Sequence, residues 1–586
     1  MKIKRLIQEL FQKFSGSFKR FPVALFFAAA TVAALMVHNH TDYHQRDLRE
    51  ILERLSMILA MGLPMSLIVT LFWESIPGRP KEREFLSYGG VVILLTLGYF
   101  FLLPEMGMVQ VTRYTGYMMT LFLLFLMVPC RQDFEGFEAY VVRLFTAFFV
   151  TYLYSGILYG GLAGILGAIH ILFEVTIPSR LYFDIFLVVS GIVAPAVFLA
   201  EVPRHRDEMA GYEYSKVLKV LILYIVTPLL VAYTVILYSF FFRILVIREW
   251  PRNLVSHLVV WYSIFTAVTL FLSVPLRKSH PWARTFGRWM PAVIMIPLGI
   301  LFAAIGVRIY AYGFTEPRYF LLITGLWLTG SMVHYLVGFQ KGQHLPIVAA
   351  LAAVIFLSVT GPWSGYAVSR WSQSGRFEDL AAEYQLRGPD GEIQPNPQVP
   401  EEDQKTISSI LQYFERYHEV ERLGGLPEDF QVRDMEAVFG FGPIYDYGIP
   451  WEERDYFYLG RVEDAGVVEI GQYDYMTSLN AYMRQETTPS AEGLAVIFHG
   501  DSRQIRVLEG DTVLYAKNLE DMVDPIVQEA GIGRQEPVPR EQMAFTDETE
   551  TVKVMVVFRY LSGSMNRNTN RAEVEGAEME VFFTLK

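Results

Sequence analysis

Arginine, tyrosine and glutamate residues stand at the ends of apolar segments between positions 243 and 370, and their side chains suit anion binding. The candidates are Arg243, Arg248, Glu249, Arg308, Tyr312, Glu316, Arg318 and Arg370. The planar guanidinium group presents a fork of donors that matches carboxylate and phosphate oxygens. The pattern therefore predicts a site for an anionic head group, a lipid-linked phosphate or a polymer end. The same residue types also anchor helices at membrane interfaces or dock a neighbouring domain, which is their more common role.

A second cluster, HNHTDYH at residues 38–44, carries three histidines and an aspartate. His38, His40 and His44 are weak candidates for a divalent metal site, because imidazole and carboxylate groups are zinc ligands. No second ligand set such as HExxH accompanies them. The sequence also has no nucleophile elbow, P-loop or dinucleotide-binding loop. It therefore predicts no cofactor and leans against an enzyme, although an envelope-building transferase stays open.

The elements that must position these residues are membrane-spanning helices. About 20 mostly apolar residues are needed to cross roughly 30 Å of hydrocarbon. By this criterion the sequence predicts about 11 transmembrane helices, near residues 21–37, 57–73, 86–103, 114–129, 139–172, 182–200, 217–241, 254–275, 289–307, 319–337 and 346–364. We interpret 139–172 as one long or tilted helix, with a break at its glycines as the alternative.

Charge divides the chain near residue 371. From Ser372 onward there are 19 Lys and Arg against 41 Asp and Glu, whereas residues 1–371 carry 31 against 20. A basic apolar part and an acidic polar part require different solvents. We therefore predict four regions: a basic N-terminus (1–20), a multi-span membrane domain (21–371), a helix with a Pro-rich linker (372–403) and an acidic α+β domain (404–586). The acidic surface argues against a nucleic-acid partner.

The short loops predict the orientation. With the N-terminus in the cytoplasm, cytoplasmic segments hold 20 Lys and Arg and the opposite loops hold 10. This bias favours a cytoplasmic N-terminus, and eleven crossings then place the C-terminal domain outside the cytoplasm. One miscounted span, above all at 139–172, would move that domain to the other side.

The acidic part predicts both helix and strand. Ile407, Ile410, Leu411, Phe414 and Tyr417 repeat at helical spacing, and Gly424 and Gly425 predict the end of this helix. Strands are predicted at Leu494–His499, Ile505–Leu508, Val513–Tyr515, Val552–Leu561 and Met579–Leu585, and a helix at Leu519–Ala530. The predicted fold class is thus a polytopic α-helical membrane domain followed by a soluble α+β domain.

Three blocks of the sequence resemble a known bacterial family. They are YIVTPLLVAYTVILYSFFFRILVIREWPRNLVSHLVVWYSIF (224–265), IGVRIYAYGFTEPRYFLLITGLW (305–327) and GPWSGYAVSRWSQ (361–373). They are similar to the polytopic membrane proteins called domain of unknown function 4153. The resemblance implies many spans and a soluble tail, with no established activity and no catalytic residues.

These observations favour a multi-pass protein of the bacterial inner membrane. Its expected partners are the lipid bilayer and either an anionic lipid or another envelope protein. The leading hypothesis is a non-enzymatic protein for envelope sensing, assembly or partner binding, with its C-terminal domain outside the cytoplasm. The alternative is a transporter or flippase for an anionic lipid or envelope precursor.

Overall fold

The computed structural model describes most of the chain as two compact units, Met1–Tyr447 and Gly448–Lys586. It describes residues 15–586 apart from 43, 77, 79–80, 131–135, 174, 204–213, 248–253, 339–342, 419, 428, 445–453, 462–470, 481–484, 488–492, 500–501, 511, 531–537 and 567–570. The predicted domain limits at residues 20, 371 and 403 stay predictions.

The first unit is helical. Its helices are α1 Pro22–His40, α2 Arg46–Glu74, α3 Lys81–Leu97, α4 Met108–Met127, α5 Phe137–Phe173, α6 Ser179–Val188, α7 Ala194–Ala200, α8 Lys216–Val220, α9 Thr227–Ile247, α10 Leu254–Ser273, α11 Pro281–Tyr312, α12 Glu316–Val337, α13 Leu345–Val359, α14 Gly365–Glu383, α15 Glu401–Tyr417 and α16 Met435–Phe439. Turns of π-helix extend α3 over Gly98–Leu102 and join α6 to α7 and α8 to α9. Among the described residues, ten helical segments are long and apolar enough to cross a membrane. The predicted polytopic membrane domain is confirmed.

Two predicted spans differ in length from an ordinary crossing. Helix α5 is continuous over 37 residues, about 55 Å at 1.5 Å per residue, so the single-helix interpretation of 139–172 is correct. Helix α13, predicted as 346–364, has only 15 residues and is about 22 Å long. It is shorter than predicted because the chain turns at Gly361, whose φ of +81° favours glycine.

Helix α13 runs alongside α4 in the opposite direction. A Cβ atom at Gly116 of α4 would lie 2.9 Å from both γ carbons of Val359, so glycine is what allows this close approach. Just beyond α13, the Thr360 hydroxyl donates to the Tyr117 hydroxyl at 3.0 Å. At its start, His344 precedes α13 and its backbone N–H donates to Glu138 of α5 at 2.8 Å. Helix α13 therefore connects the two ends of the helical bundle.

Residues 365–441 form a helical cap with its own apolar core. Phe377 of α14, Leu411 and Phe414 of α15, and Phe439 of α16 are fully buried together. Helix α15 carries the predicted repeat, since residues at i, i+3, i+4 and i+7 line one face. It ends at Tyr417, earlier than the predicted Gly424, and a 3-10 turn at Val420–Leu423 follows.

The second unit contains two antiparallel sheets and helix α17, Leu519–Ala530. The strands are β1 Arg454–Gly460, β2 Tyr475–Asn480, β3 Gln485–Thr487, β4 Leu494–His499, β5 Gln504–Glu509, β6 Thr512–Asn518, β7 Ala544–Glu548, β8 Val552–Asn566 and β9 Arg571–Leu585. One sheet has the order β1-β8-β9-β2, with β7 also paired to β8, and the other has the order β3-β4-β5-β6. Both sheets and α17 contribute to one core. The predicted α+β class is confirmed.

Candidate functional site

One cavity of the helical unit is rich in arginine, and we call it the basic cavity. It encloses about 900 Å³. Its charged lining residues are Glu105, Arg113, Arg370, Arg416 and Arg422, accompanied by His418. Four arginines against one glutamate give these side chains a net charge of +3 with the histidine neutral. The cavity therefore suits an anion.

Four parts of the fold converge on the basic cavity. They are the π-helical end of α3, the start of α4, the turn between α13 and α14, and the end of α15. The turn is fixed at both sides: Gly361 adopts its positive φ, and the Ser364 hydroxyl caps α14 by accepting from the N–H of Ala367 at 3.4 Å. A π-turn inside an α-helix is frequent at functional sites, and here Gly98 and Leu102 of that turn line the cavity.

Within the described part of the chain, Arg113, Arg370 and Arg416 form no ion pair with a carboxylate. Arg113 instead lies 6.0 Å from the ring centre of Tyr366, and Arg416 lies 5.9 Å from that of Tyr417. Such stacking orients a guanidinium group and leaves its N–H donors available.

His418 is held by a hydrogen-bonded group that joins helix α12 to helix α15. The Tyr413 hydroxyl donates to Glu316 at 2.6 Å, and the His418 Nε2 atom lies 3.0 Å from that hydroxyl and 3.4 Å from Glu316. Burial, reinforced by the neighbouring carboxylate, raises the pKa of Tyr413 well above its usual range. The phenol therefore stays protonated as a donor, and it connects α15 to the membrane helices.

An apolar cavity of about 330 Å³ adjoins the basic cavity, and we call it the apolar slot. Its lining comes from α2, α3, α4 and α13 and is Ile58, Met61, Met65, Leu94, Leu95, Gly98, Leu102, Tyr117, Thr120, Leu121, Leu124 and Phe356. Gly98, Leu102 and Tyr117 line both cavities. A polar, positively charged space thus lies next to an apolar one among helices that are apolar enough to cross a membrane.

The structure brings two of the eight predicted anion-site residues to the basic cavity. Arg370 lines it, and Glu316 holds the His418 ring that lines it. Arg318 and Tyr312 are used locally, because Arg318 donates to the carbonyls of Tyr312 and Gly313 at 3.2 and 2.9 Å.

The other four predicted residues lie elsewhere. Arg308 is half-buried on α11 and Arg243 is exposed on α9, and neither lines the cavity. Arg248 and Glu249 lie outside the described residues. The predicted anion site therefore stays a prediction, with Arg370 as its one direct link to the cavity.

The three histidines proposed for metal binding do not converge. His40 Nε2 lies 2.7 Å from Asp184 Oδ2, and Asn39 donates to the other oxygen of that carboxylate at 2.9 Å. His44 is exposed in the turn before α2. In the part of the chain that the structure describes, no three His, Cys, Asp or Glu side chains come together as a metal site.

Sequence reasoning missed Arg113, Arg416, His418 and Arg422. Arg113 is one of the ten Lys and Arg residues of the predicted outer loops, and the segment RYHEVER at 416–422 is typical of the solvated end of an amphipathic helix. The spacing carries no signal that links these segments, which are about 300 residues apart. The stacking partners Tyr366 and Tyr417 were the available hint, since arginine near aromatic residues is typical of anion sites.

Two comparisons with known proteins found a match. The model of the family described as Domain of unknown function (DUF4153) matches residues 16–389. This range includes Arg113 and Arg370 and ends before Arg416. An uncharacterised protein of Pasteurella multocida (strain Pm70) is 23% identical over 495 residues, which cover 82% of this chain and 81% of the relative. No solved structure matches.

Proposed function

Since this chain belongs to the DUF4153 family, whose description names no activity, we propose its function from the geometry of the two adjoining cavities. This bacterial multi-pass membrane protein binds an anionic amphiphile, a phospholipid or a lipid-linked envelope precursor. The anionic head group occupies the basic cavity and the hydrocarbon chain occupies the apolar slot. The observation that carries the proposal is the shared wall of the two cavities at Gly98, Leu102 and Tyr117.

Each half of the site suits one half of such a ligand. A hydrogen bond to a charged group contributes about 1.5–3 kcal/mol, and Arg113, Arg370 and Arg416 have N–H donors available. A buried methylene contributes about 0.8 kcal/mol, and the slot is lined almost entirely by apolar side chains. A soluble anion would gain only the hydrogen bonds to arginine, and a neutral lipid would gain only the burial of its hydrocarbon chain. An anionic amphiphile gains both.

We place this binding in a non-enzymatic role in the cell envelope, namely sensing or assembly. Under the predicted orientation, the basic cavity faces away from the cytoplasm, as does the second unit. A bound head group would contact Tyr417 and His418 at the end of α15. Its binding could in this way be transmitted to the helical cap. In this role the protein would also contact another envelope protein.

The test is the retention of phosphatidylglycerol by the full-length protein. The protein is reconstituted in nanodiscs of phosphatidylcholine with a minor fraction of phosphatidylglycerol, and bound lipid is counted by native mass spectrometry. We expect Arg370→Gln to weaken phosphatidylglycerol retention about 10- to 100-fold, because 1.5–3 kcal/mol is lost and 1.4 kcal/mol is a factor of ten. Arg243→Gln is the matched control, since Arg243 is exposed and outside the cavity.

Equal retention by the wild type, Arg370→Gln and Arg243→Gln would contradict the proposal. So would equal retention of phosphatidylcholine and phosphatidylglycerol by the wild type. Loss in both variants would point to a diffuse surface charge effect and not to the cavity.

Lipid translocation is a second candidate function, and one observation favours it. Leu94 lines the slot and is 57% exposed, and Phe101 lines the basic cavity and is 79% exposed. A lipid could therefore enter sideways from the bilayer. Movement of fluorescent phosphatidylglycerol between leaflets of reconstituted vesicles, reduced by Arg370→Gln, would support transport. No movement with retained binding would support the sensing role.

A further inference from the structure

A second polar cluster lies at the end of the helical bundle opposite the basic cavity. It consists of Glu138 at the start of α5, Arg277 after α10, Tyr335 in α12 and His344 before α13. Their exposed fractions are 4%, 8%, 1% and 0%. Polar and charged side chains this deeply buried beside membrane-spanning helices are costly and are usually functional. We call these four residues the buried cluster.

Contacts join the members of the buried cluster. Glu138 Oε1 accepts the backbone N–H of His344 at 2.8 Å. The His344 and Tyr335 rings are 4.8 Å apart, and the guanidinium carbon of Arg277 lies 5.8 Å from the Tyr335 ring. Gly287 leaves room for Arg277, because a Cβ there would lie 2.8 Å from its Nε atom.

His344 is the unusual member. Both nitrogens of its fully buried ring have no hydrogen-bond partner among the residues that the structure describes, although a buried imidazole normally bonds at least one of them. Burial, with Arg277 and His334 adding to it, lowers the pKa of His344 to about 3. The ring is therefore neutral at physiological pH and does not take up the proton.

Glu138 is the member that can exchange a proton. Arginine stays charged, a phenol titrates near pH 10, and His344 stays neutral. The groups facing Glu138 from the helices around it are Arg277, Tyr335 and His344, with His334 5.5 Å from the His344 ring. Arg131, Asp133, Glu135 and Lys341, which flank these elements in sequence, lie outside the described residues.

We propose that the buried cluster is a proton-binding site centred on Glu138, and that helix α13 links its occupancy to anion binding in the basic cavity. The part of this inference that concerns anion binding rests on the proposed function. Helix α13 begins at the Glu138–His344 bond, and its last residue, Val359, lines the basic cavity together with Thr360 and Gly361. Protonation replaces a charge-assisted bond with a neutral one of about half the strength. It therefore loosens the start of the helix that forms the cavity wall.

Two measurements test the two halves separately. The first is infrared spectroscopy of the full-length protein in detergent without added phospholipid. We expect a titrating carboxylic-acid C=O band that is present in the wild type, absent in Glu138→Gln and retained in Glu74→Gln. Glu74 is the matched control because it is a partly buried carboxylate on α2, paired with Arg20 at 2.9 Å.

The second measurement is the affinity for phosphatidylglycerol in nanodiscs at one pH above and one below neutrality. Glu138→Gln mimics the protonated state, so we expect it to bind about tenfold more weakly than the wild type at the higher pH. The two should converge at the lower pH. The comparison is between the wild type and Glu138→Gln at each pH, so effects of pH that the two proteins share cancel. Glu138→Asp keeps a titratable carboxyl group and should keep the response if Glu138→Gln does not fold.

The outcomes separate the inference from the proposed function. Absence of a Glu138 band overturns the proton site. A band with equal affinities for wild type and Glu138→Gln at both pH values overturns the link through α13. A band without phosphatidylglycerol binding by the wild type refutes the proposed function and the link, and confirms the proton site alone.

Discussion

Removing a single hydroxyl group should loosen the attachment of the helical cap to the membrane helices. In Tyr413→Phe, Glu316 loses the donor that lies 2.6 Å away, and His418 loses the partner at 3.0 Å. The Glu316 and His418 side chains are only 12% and 8% exposed, so water replaces the lost bond poorly. A hydrogen bond to a charged group contributes about 1.5–3 kcal/mol. We therefore expect Tyr413→Phe to lower the free energy needed to release α15 locally by an amount in this range.

Amide hydrogen exchange of the full-length protein in detergent measures this cost. If the amides of Glu401–Tyr417 exchange when α15 separates locally, 1.5–3 kcal/mol corresponds to exchange about 10- to 100-fold faster. Tyr310→Phe is the matched control, because the Tyr310 side chain is 95% exposed and should leave exchange unchanged. Glu316→Gln combined with Tyr413→Phe should cost less than the sum of the two single changes, since the first weakens and the second removes the same hydrogen bond.

Unchanged exchange of α15 in Tyr413→Phe would refute this reasoning. Faster exchange across all helices, rather than in α15, would show a general loss of stability instead. If only α15 responds, the same variant should also weaken phosphatidylglycerol retention, because α15 supplies Arg416 and His418 to the basic cavity.

Two further predictions concern packing and pH. Gly116→Leu should destabilise the protein by about 1–3 kcal/mol in thermal unfolding, because a Cβ there meets Val359 at 2.9 Å, whereas Gly160→Leu points into open space and should not. A hydrogen bond from Lys517 lowers the pKa of Asp547, so this carboxylate stabilises the fold above its unfolded pKa of about 3.9 and stops doing so as pH falls through the folded value. Asp547→Asn should therefore lower the free energy of unfolding by about 1 kcal/mol at neutral pH and leave it unchanged in strong acid. Amide exchange of β7 measures this difference, and an equal loss at both pH values would contradict the prediction.

Periodicity and stop signals made much of the fold predictable. Strand β4 matches its predicted limits, Leu494–His499. Its side chains are alternately buried and partly exposed, which is the pattern expected of a strand that buries one face. Helix α17 matches Leu519–Ala530 for the same reason at helical spacing, with Gly531 following it. The ten long apolar helices follow from hydropathy alone, since a spanning helix satisfies its own backbone in lipid.

Helix α13 shows where hydropathy fails. Residues 346–364 are apolar enough for a full span, yet the helix stops at Val359. The stop depends on the turn at Gly361 and on the approach to Gly116 of α4, a contact across about 240 residues. Hydropathy indicates whether a segment can lie in a membrane, whereas the contacts of the segment with its neighbours determine how long its helix is.

The candidate site was predictable only in its chemistry. The rule that takes arginine and tyrosine at helix ends as candidates selected Arg370, which lines the basic cavity. The same rule also selected Arg318, whose donors are used by the carbonyls at Tyr312 and Gly313. Whether an arginine at a helix end caps its own turn or faces a cavity depends on the neighbouring helix. For Arg370 that neighbour is α15, and its contribution could not be read from local spacing.

The position of α15 supports the proposal that an amphiphile, and not a free anion, occupies this site. Arg113 and Arg370 belong to α4 and α14, while Arg416 comes from the cap, so the positive charge lies between the membrane helices and the cap. The apolar slot adjoins the basic cavity and lies among α2, α3, α4 and α13. A ligand that fills both spaces must change from charged to apolar where Gly98, Leu102 and Tyr117 line both cavities. Lipids with an anionic head group have this arrangement, and soluble anions of the same charge do not.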